Sequence, residues 1–144
     1  MFLRFQKRMN WTQNYNMKLV IDAYAWIEYF LGSIEGEKAR KYIDDSNNEI
    51  ITNILNIAEI SSYLTRKGIS SEEYYDLIIS NSSIYLFDRD FSKEAGILHA
   101  EIKKKIKNFG LIDAFVLLSA RKLNAKILTG DEHFRGFKEA ILIK

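Results

Sequence analysis

Short apolar runs and longer amphipathic stretches take turns along the chain. Residues 18–21, 49–52, 84–87, 126–129 and 140–143 carry the compact apolar character of buried strands. The segments between them show helical spacing. Residues 24–31 and 35–44 form a helical pair broken at Gly32 and Gly36, and residues 54–66 form a helix that Gly68 ends. Ser70 and Glu73 have the spacing of a capping box, in which each side chain satisfies a free backbone donor, so a further helix runs from there to about residue 80. Asp90 is placed to cap a long helix whose Phe91, Ala95, Leu98, Ile102 and Ile106 draw one apolar stripe. A last helix covers about 112–123. Strands that alternate with helices need crossover connections, which predicts a parallel sheet with helices on both faces. Such sheets bind ligands beyond the carboxyl ends of their strands, where strand order reverses.

Composition narrows the chemistry. With 47% hydrophobic residues, 144 residues are enough for one domain with a real core. The run Met17-Lys18-Leu19-Val20-Ile21-Asp22 reads as the natural start of that domain, at 17–144. Residues 1–16 have no clear periodicity and no secretion-signal pattern, and they read as an N-terminal extension, upstream of the true start or loosely attached. Apolar runs such as 114–120 fall far short of the roughly 20 residues that span a bilayer, so no membrane association is expected. The chain has no cysteine, which excludes disulfides, thiolate metal sites and cysteine nucleophiles and suits the cytoplasm. It has two histidines, too few for zinc sites built on imidazole. A catalytic metal must therefore sit on carboxylates, whose hard oxygens select magnesium or manganese. Twenty-one basic against nineteen acidic residues leave a formal charge of +2, which does not by itself mark a nucleic-acid binder.

Four carboxylates stand in unusually apolar settings. Asp22 directly follows Leu19-Val20-Ile21, at the end of a strand that should be central. Glu59 is the only charged residue between Thr52 and Thr65, and Asp113 the only one between Lys107 and Arg121. Asp131 follows a strand at a glycine turn. Each has an ordinary structural reading: a cap for Asp22, an exposed edge or a lysine partner for Glu59, a helix-dipole contact for Asp113, a turn for Asp131. Together they imply a crowded anionic cleft, tolerable if a divalent cation neutralises it or if some groups keep their protons.

These motifs resemble the PIN-domain nucleases, particularly the VapC-type toxins of toxin–antitoxin pairs. The likeness spans nearly all of 17–144. It rests on Leu19-Val20-Ile21-Asp22-Ala23-Tyr24-Ala25-Trp26-Ile27, Asn53-Ile54-Leu55-Asn56-Ile57-Ala58-Glu59-Ile60, Leu111-Ile112-Asp113-Ala114-Phe115-Val116 and Ile127-Leu128-Thr129-Gly130-Asp131-Glu132-His133-Phe134. The resemblance implies a three-layer α/β/α sandwich with a mostly parallel five-stranded sheet. It further implies an endoribonuclease using Mg2+ or Mn2+ held by Asp22, Glu59, Asp113 and Asp131, with Thr129 in support. An RNA substrate, a cognate antitoxin and a homodimer are the partners it implies. Ala23 departs from the pattern, since many members carry Ser or Thr directly after the first aspartate.

Phosphate contacts would need cations, for which Lys103, Lys104, Lys105 and Lys107, with Arg121 and Lys122 nearer the expected cleft, are the candidates. For most of that lysine run the solvated face of an amphipathic helix is the preferred reading. His99 reads as an ordinary polar residue, and His133, although close to Asp131, as structural. Two other functions fit part of the pattern. A receiver-like signalling domain also places acidic residues at strand ends, and a catalytically idle PIN fold, suggested by Ala23, would only bind RNA or protein.

Overall fold

The computed structural model describes residues 16–144. The expected N-terminal extension lies, apart from Asn16, outside the described residues. Five strands, β1 (Met17–Ile21), β2 (Asn48–Asn53), β3 (Ser83–Tyr85), β4 (Lys126–Thr129) and β5 (Ala140–Leu142), form one sheet in the order β3-β2-β1-β4-β5. All four pairings are parallel. The helices among the described residues are α1 (Ala23–Leu31), α2 (Ile34–Ile43), α3 (Ile54–Arg66), α4 (Glu72–Asn81), α5 (Arg89–Lys103) and α6 (Leu111–Leu123). A single 3-10 turn, Glu132–Phe134, follows β4.

Alternation within the strands sorts the core into two layers. Leu19, Ile21, Ile50 and Leu128 point to one face, where they pack with Trp26 of α1, Ala39 and Ile43 of α2, Ile60 and Leu64 of α3 and Ile78 of α4. Val20, Ile51 and Ile127 point to the other, against Ala114, Val116, Leu117 and Ala120 of α6 and the rings of Phe109 and Phe134. The expected α/β/α sandwich is therefore the fold, with Leu19, Val20 and Ile21 of β1 buried at its centre. The aromatic residues of α1 turn inward: Trp26 and Phe30 stack at 5.6 Å between centroids, and Phe30 meets Tyr74 of α4 at 4.5 Å.

Strand order decides between two of the sequence-based readings. Receiver-like sheets run 2-1-3-4-5, with the order reversing between the first and third strands. Here the chain builds β1, β2 and β3 outward in one direction and then returns to lay β4 on the opposite side of β1. That order excludes the receiver-like alternative. It also puts the switch point between β1 and β4, so the carboxyl ends of these two strands open onto one crevice.

Local starts and stops differ in places from expectation. Asp88, not Asp90, caps α5, accepting from the Phe91 amide at 3.0 Å. The Ser70 and Glu73 capping box is not formed: α4 begins at Glu72, behind Ser71, without a side-chain cap bond. Both aspartates near α5 satisfy the N-cap preference, and the earlier cap adds Arg89 and Asp90 to the first turn ahead of the buried Phe91. The helix that carries Glu59 is set by Asn53, whose Oδ1 accepts from the Leu55 amide at 2.8 Å while Nδ2 donates to Ser119 Oγ of α6 at 2.7 Å. Asn53 thus ties α3 to α6, and with them Glu59 to Asp113. Substituting Asn53→Ala removes a cap and the buried bond to Ser119 Oγ, which keeps its own bond to the Phe115 carbonyl, and we expect it to cost about 2 kcal/mol in urea unfolding. A loss under about 0.5 kcal/mol, the usual range for neutral surface changes, would show that the link is idle.

Candidate metal centre

Asp22 is the residue immediately after β1 and is only 5% exposed. It occupies the N-cap position of α1, yet its carboxylate makes no cap hydrogen bond. The Thr129 hydroxyl at the end of β4 donates to its Oδ2 instead, at 2.8 Å. That same hydroxyl accepts from the Asp131 amide at 3.0 Å, so one fully buried threonine positions both aspartates across the switch point. A threonine can do this because its oxygen donates once and still accepts. The central strand pairing holds the frame, through the Asp22 amide donating to the Leu128 carbonyl at 3.0 Å.

Glu59 and Asp113 reach the crevice from the two helical layers. Glu59 lies in the second turn of α3, where the Asn56 amide group donates to its Oε1 at 2.6 Å. Asp113 lies in the first turn of α6, and its Oδ2 accepts from the Gly110 amide at 2.9 Å. Asp131 follows Gly130 and caps the 3-10 turn, accepting from the His133 amide at 2.8 Å. Gly130 has to be glycine, because a Cβ there would lie 2.2 Å from Tyr24 Cε1. Tyr24 in turn is fixed by donating its hydroxyl to Glu35, which pushes the phenol up to about 12.

All four carboxylates line one cleft of about 300 Å3, together with Ala23, Tyr24, Ile27, Glu28 and Tyr63. Burial, opposed by the Thr129 bond and reinforced by the charges of Glu59 and Asp113, raises Asp22 to about 7. Desolvation also raises Glu59, against the Asn56 bond and with the charges of Asp113 and Asp131. Asp113 is raised in the same way, by burial first and by Asp131, against its bond from Gly110. No lysine or arginine among the described residues forms an ion pair with any of the four. The donor set fits a divalent cation: oxygens that repel one another, partly desolvated and with no lysine or arginine paired to them.

The structure brings Asp22, Glu59, Asp113, Asp131 and Thr129 together and leaves the basic candidates elsewhere. Arg121 and Lys122 stand in the last turn of α6, at the opposite end from Asp113, and not nearer the cleft as expected. Arg121 pairs with the buried Glu139 at 3.0 Å, and Lys122 with Glu94 at 3.1 Å. Lys103 ends α5 and Lys104 pairs with Glu101 at 3.1 Å; neither lines the cleft. Lys144 was not singled out from sequence, yet its Nζ lies 5.6 Å from the ring centroid of the cleft residue Tyr24. Asn53, Asn56 and Gly130 were also missed as supports. Asn53 carried a usable signal, an asparagine directly before an apolar helix.

Thr129→Val keeps the shape of the side chain and deletes both hydrogen bonds. We expect divalent-ion affinity, read by calorimetry, to fall about 10- to 100-fold, as is usual when a residue that orients a ligand is removed. An affinity within twofold of wild type would show that Asp22 needs no such orientation.

Fold and site together define the class: an α/β/α protein whose acidic residues gather at the switch point of a parallel sheet. A model of the PIN domain matches residues 19–140, and the chain belongs to that family. No curated protein sequence matches it. Among solved structures, a toxin–antitoxin complex from Klebsiella pneumoniae shares 18% identity with a TM-score of 0.66, over 88% of this chain and 98% of the other. VapBC2 from Rickettsia felis, bound to a DNA fragment from its promoter, shares 18% at a TM-score of 0.67, over 88% and 97%. VapC20 of Mycobacterium tuberculosis, a sarcin-ricin loop cleaving toxin, shares 16% at 0.69, over 84% and 97%. At these identities the likeness is one of fold. No helix among the described residues is long and apolar enough to cross a membrane.

Proposed function

We propose that the protein is a divalent-metal-dependent endoribonuclease, the toxin of a toxin–antitoxin pair, acting in the cytoplasm. One observation carries the reading: carboxylates from the end of β1, from α3, from α6 and from the turn after β4 line a single cleft, and no lysine or arginine among the described residues pairs with them. Asp22 and Asp113 are the central ligands, and Glu59 and Asp131 bind the ion directly or through water. Magnesium or manganese suits this oxygen-rich set. When bound, the ion supplies Lewis acidity, which lowers the pKa of water and balances charge building on a phosphodiester.

The chain's own residues do the positioning. Thr129 holds Asp22 Oδ2 and the Asp131 backbone at fixed separation. Asn56 presents Glu59, and the Gly110 amide presents Asp113. Ala23 offers no hydroxyl beside the first ligand, but Thr129 already donates to it, so the departure from the family pattern removes no ligand. RNA phosphates are held at the cleft rim, where Lys144 is better placed than the cations of α5 and α6. The neighbouring VapBC complexes support an antitoxin partner, and a homodimer belongs to the same reading.

The test is a mixed RNA pool incubated with the purified chain in Mn2+, in Mg2+ and in EDTA, beside an Asp22→Asn control. Cleavage by the wild type with added ion alone is the expected result. Equal cleavage by the variant, or in EDTA, overturns the proposal.

A further inference from the structure

The least expected atom beside the acidic cluster is a nitrogen. His133, read as structural from sequence, turns Nδ1 toward the acidic cluster, 3.3 Å from Asp131 Oδ1 and 3.6 Å from Asp113 Oδ2. Although 35% of the side chain is exposed, Nδ1 itself is shielded from solvent and makes no hydrogen bond. Asp113, Asp131 and His133 place their ligand atoms all within 4.8 Å of one another. With metal–ligand bonds of about 2.1 Å, neighbouring ligands of an octahedral ion are separated by about 3 Å, so the observed spacings need only small adjustment. Asp131 Oδ1 and Asp113 Oδ2 each already accept one backbone amide, which fixes them and leaves a second lone pair on each oxygen.

We propose that His133 Nδ1 joins Asp113 and Asp131 as a ligand of the metal centre, giving it a nitrogen-bearing position that favours manganese over magnesium. This rests on the metal-dependent reading above. Asp113 also faces Asp22 and Glu59, so it stands between the all-carboxylate side of the cluster and the imidazole side. Nδ1 can coordinate only as the tautomer that carries its proton on Nε2, which the partly exposed ring permits. Imidazole suits transition ions, whereas magnesium demands oxygen, and this gives one nitrogen its discriminating power.

The alternative is a protonated His133 that merely balances the two aspartates, and it leads to the opposite results. Full-length, metal-free protein loaded with Mn2+ alone should show 14N modulation of an imidazole in pulsed electron paramagnetic resonance. His133→Phe, which keeps a ring of similar size, should abolish that signal and weaken Mn2+ at least tenfold by calorimetry, while Mg2+ affinity changes less than threefold. His133→Gln, a second variant with an oxygen donor, should recover part of the Mn2+ affinity without the nitrogen signal. Absence of 14N modulation in the wild type, or equal loss of both ions in His133→Phe, overturns the proposal. Ion-dependent RNA cleavage without the nitrogen signal defeats the histidine ligand alone; a nitrogen signal without RNA cleavage defeats the nuclease reading alone. If the chain binds no Mn2+, both fall.

Discussion

Asp22→Asn is expected to do two opposite things: abolish RNA cleavage and make the metal-free protein more stable at pH 8. The first follows from removing a proposed central ligand, and a loss of roughly three orders of magnitude or more is the scale for a residue holding a catalytic ion. The second follows from burial. At pH 8 the wild-type carboxylate is ionised, almost inaccessible, and set beside the charges of Glu59 and Asp113. Asparagine matches its shape, and its Oδ1 can accept from Thr129 in place of Oδ2. A carboxyl that titrates at 3.8 in the unfolded chain and near 7 in the folded one costs the folded state about 4 kcal/mol once fully ionised. Relief of most of that cost should raise Tm in EDTA by about 5–10 °C. A variant less stable than wild type under those conditions would mean that Asp22 is held by interactions other than those described and that burying its charge carries no net cost.

The second large effect is an inversion of pH dependence by the metal. Because burial raises Asp22 above its unfolded value, the folded protein binds more protons than the unfolded chain between about pH 4 and 7. Stability is therefore fully present below that interval and is lost as pH rises through it. Glu59 and Asp113 are raised too and act with the same sign. In EDTA, Tm should fall from pH 5 to pH 8. A divalent ion held as proposed binds the ionised carboxylates, so its stabilisation should be largest at pH 8, about 2.7 kcal/mol at a hundredfold excess over Kd, and shrink at pH 5 as protons compete. Calorimetric scans at both pH values with and without Mn2+ give four melting temperatures. If the metal stabilises equally at pH 5 and pH 8, proton and ion do not share these groups.

Both effects reflect one arrangement, in which function requires charge where folding would prefer none. The cleft is held open to this use by buried polar contacts: Asn53 between α3 and α6, and Thr129 between Asp22 and Asp131. Isolated polar groups at those depths would be costly, and it is their complete pairing that makes the site rigid enough to keep like charges together. Pairing is incomplete at Asn56 Oδ1 and at His133 Nδ1, and the latter is the atom proposed as a further ligand.

The alternation of apolar runs with helical stretches was enough to define a parallel α/β sandwich, because each strand buried on both faces must be apolar throughout and each crossover helix must show one apolar stripe. Asp22, Glu59 and Asp113 were legible as candidates for a related reason: a lone charge in an apolar segment has a desolvation cost that calls for an explanation. Local pattern could not fix which of two nearby aspartates caps α5, nor whether Ser70 and Glu73 form a box, since competing caps differ by only about 1 kcal/mol and packing decides among them. It could not place Arg121 and Lys122 either, as their partners Glu139 and Glu94 lie on other elements of the fold. Strand order was decided by tertiary structure alone, and with it the crevice between β1 and β4 that brings Asp22 against Thr129, 107 residues away. Hydrophobic periodicity records which face of each element is buried; which elements become neighbours depends on how those faces pack together, and the site exists only at that level.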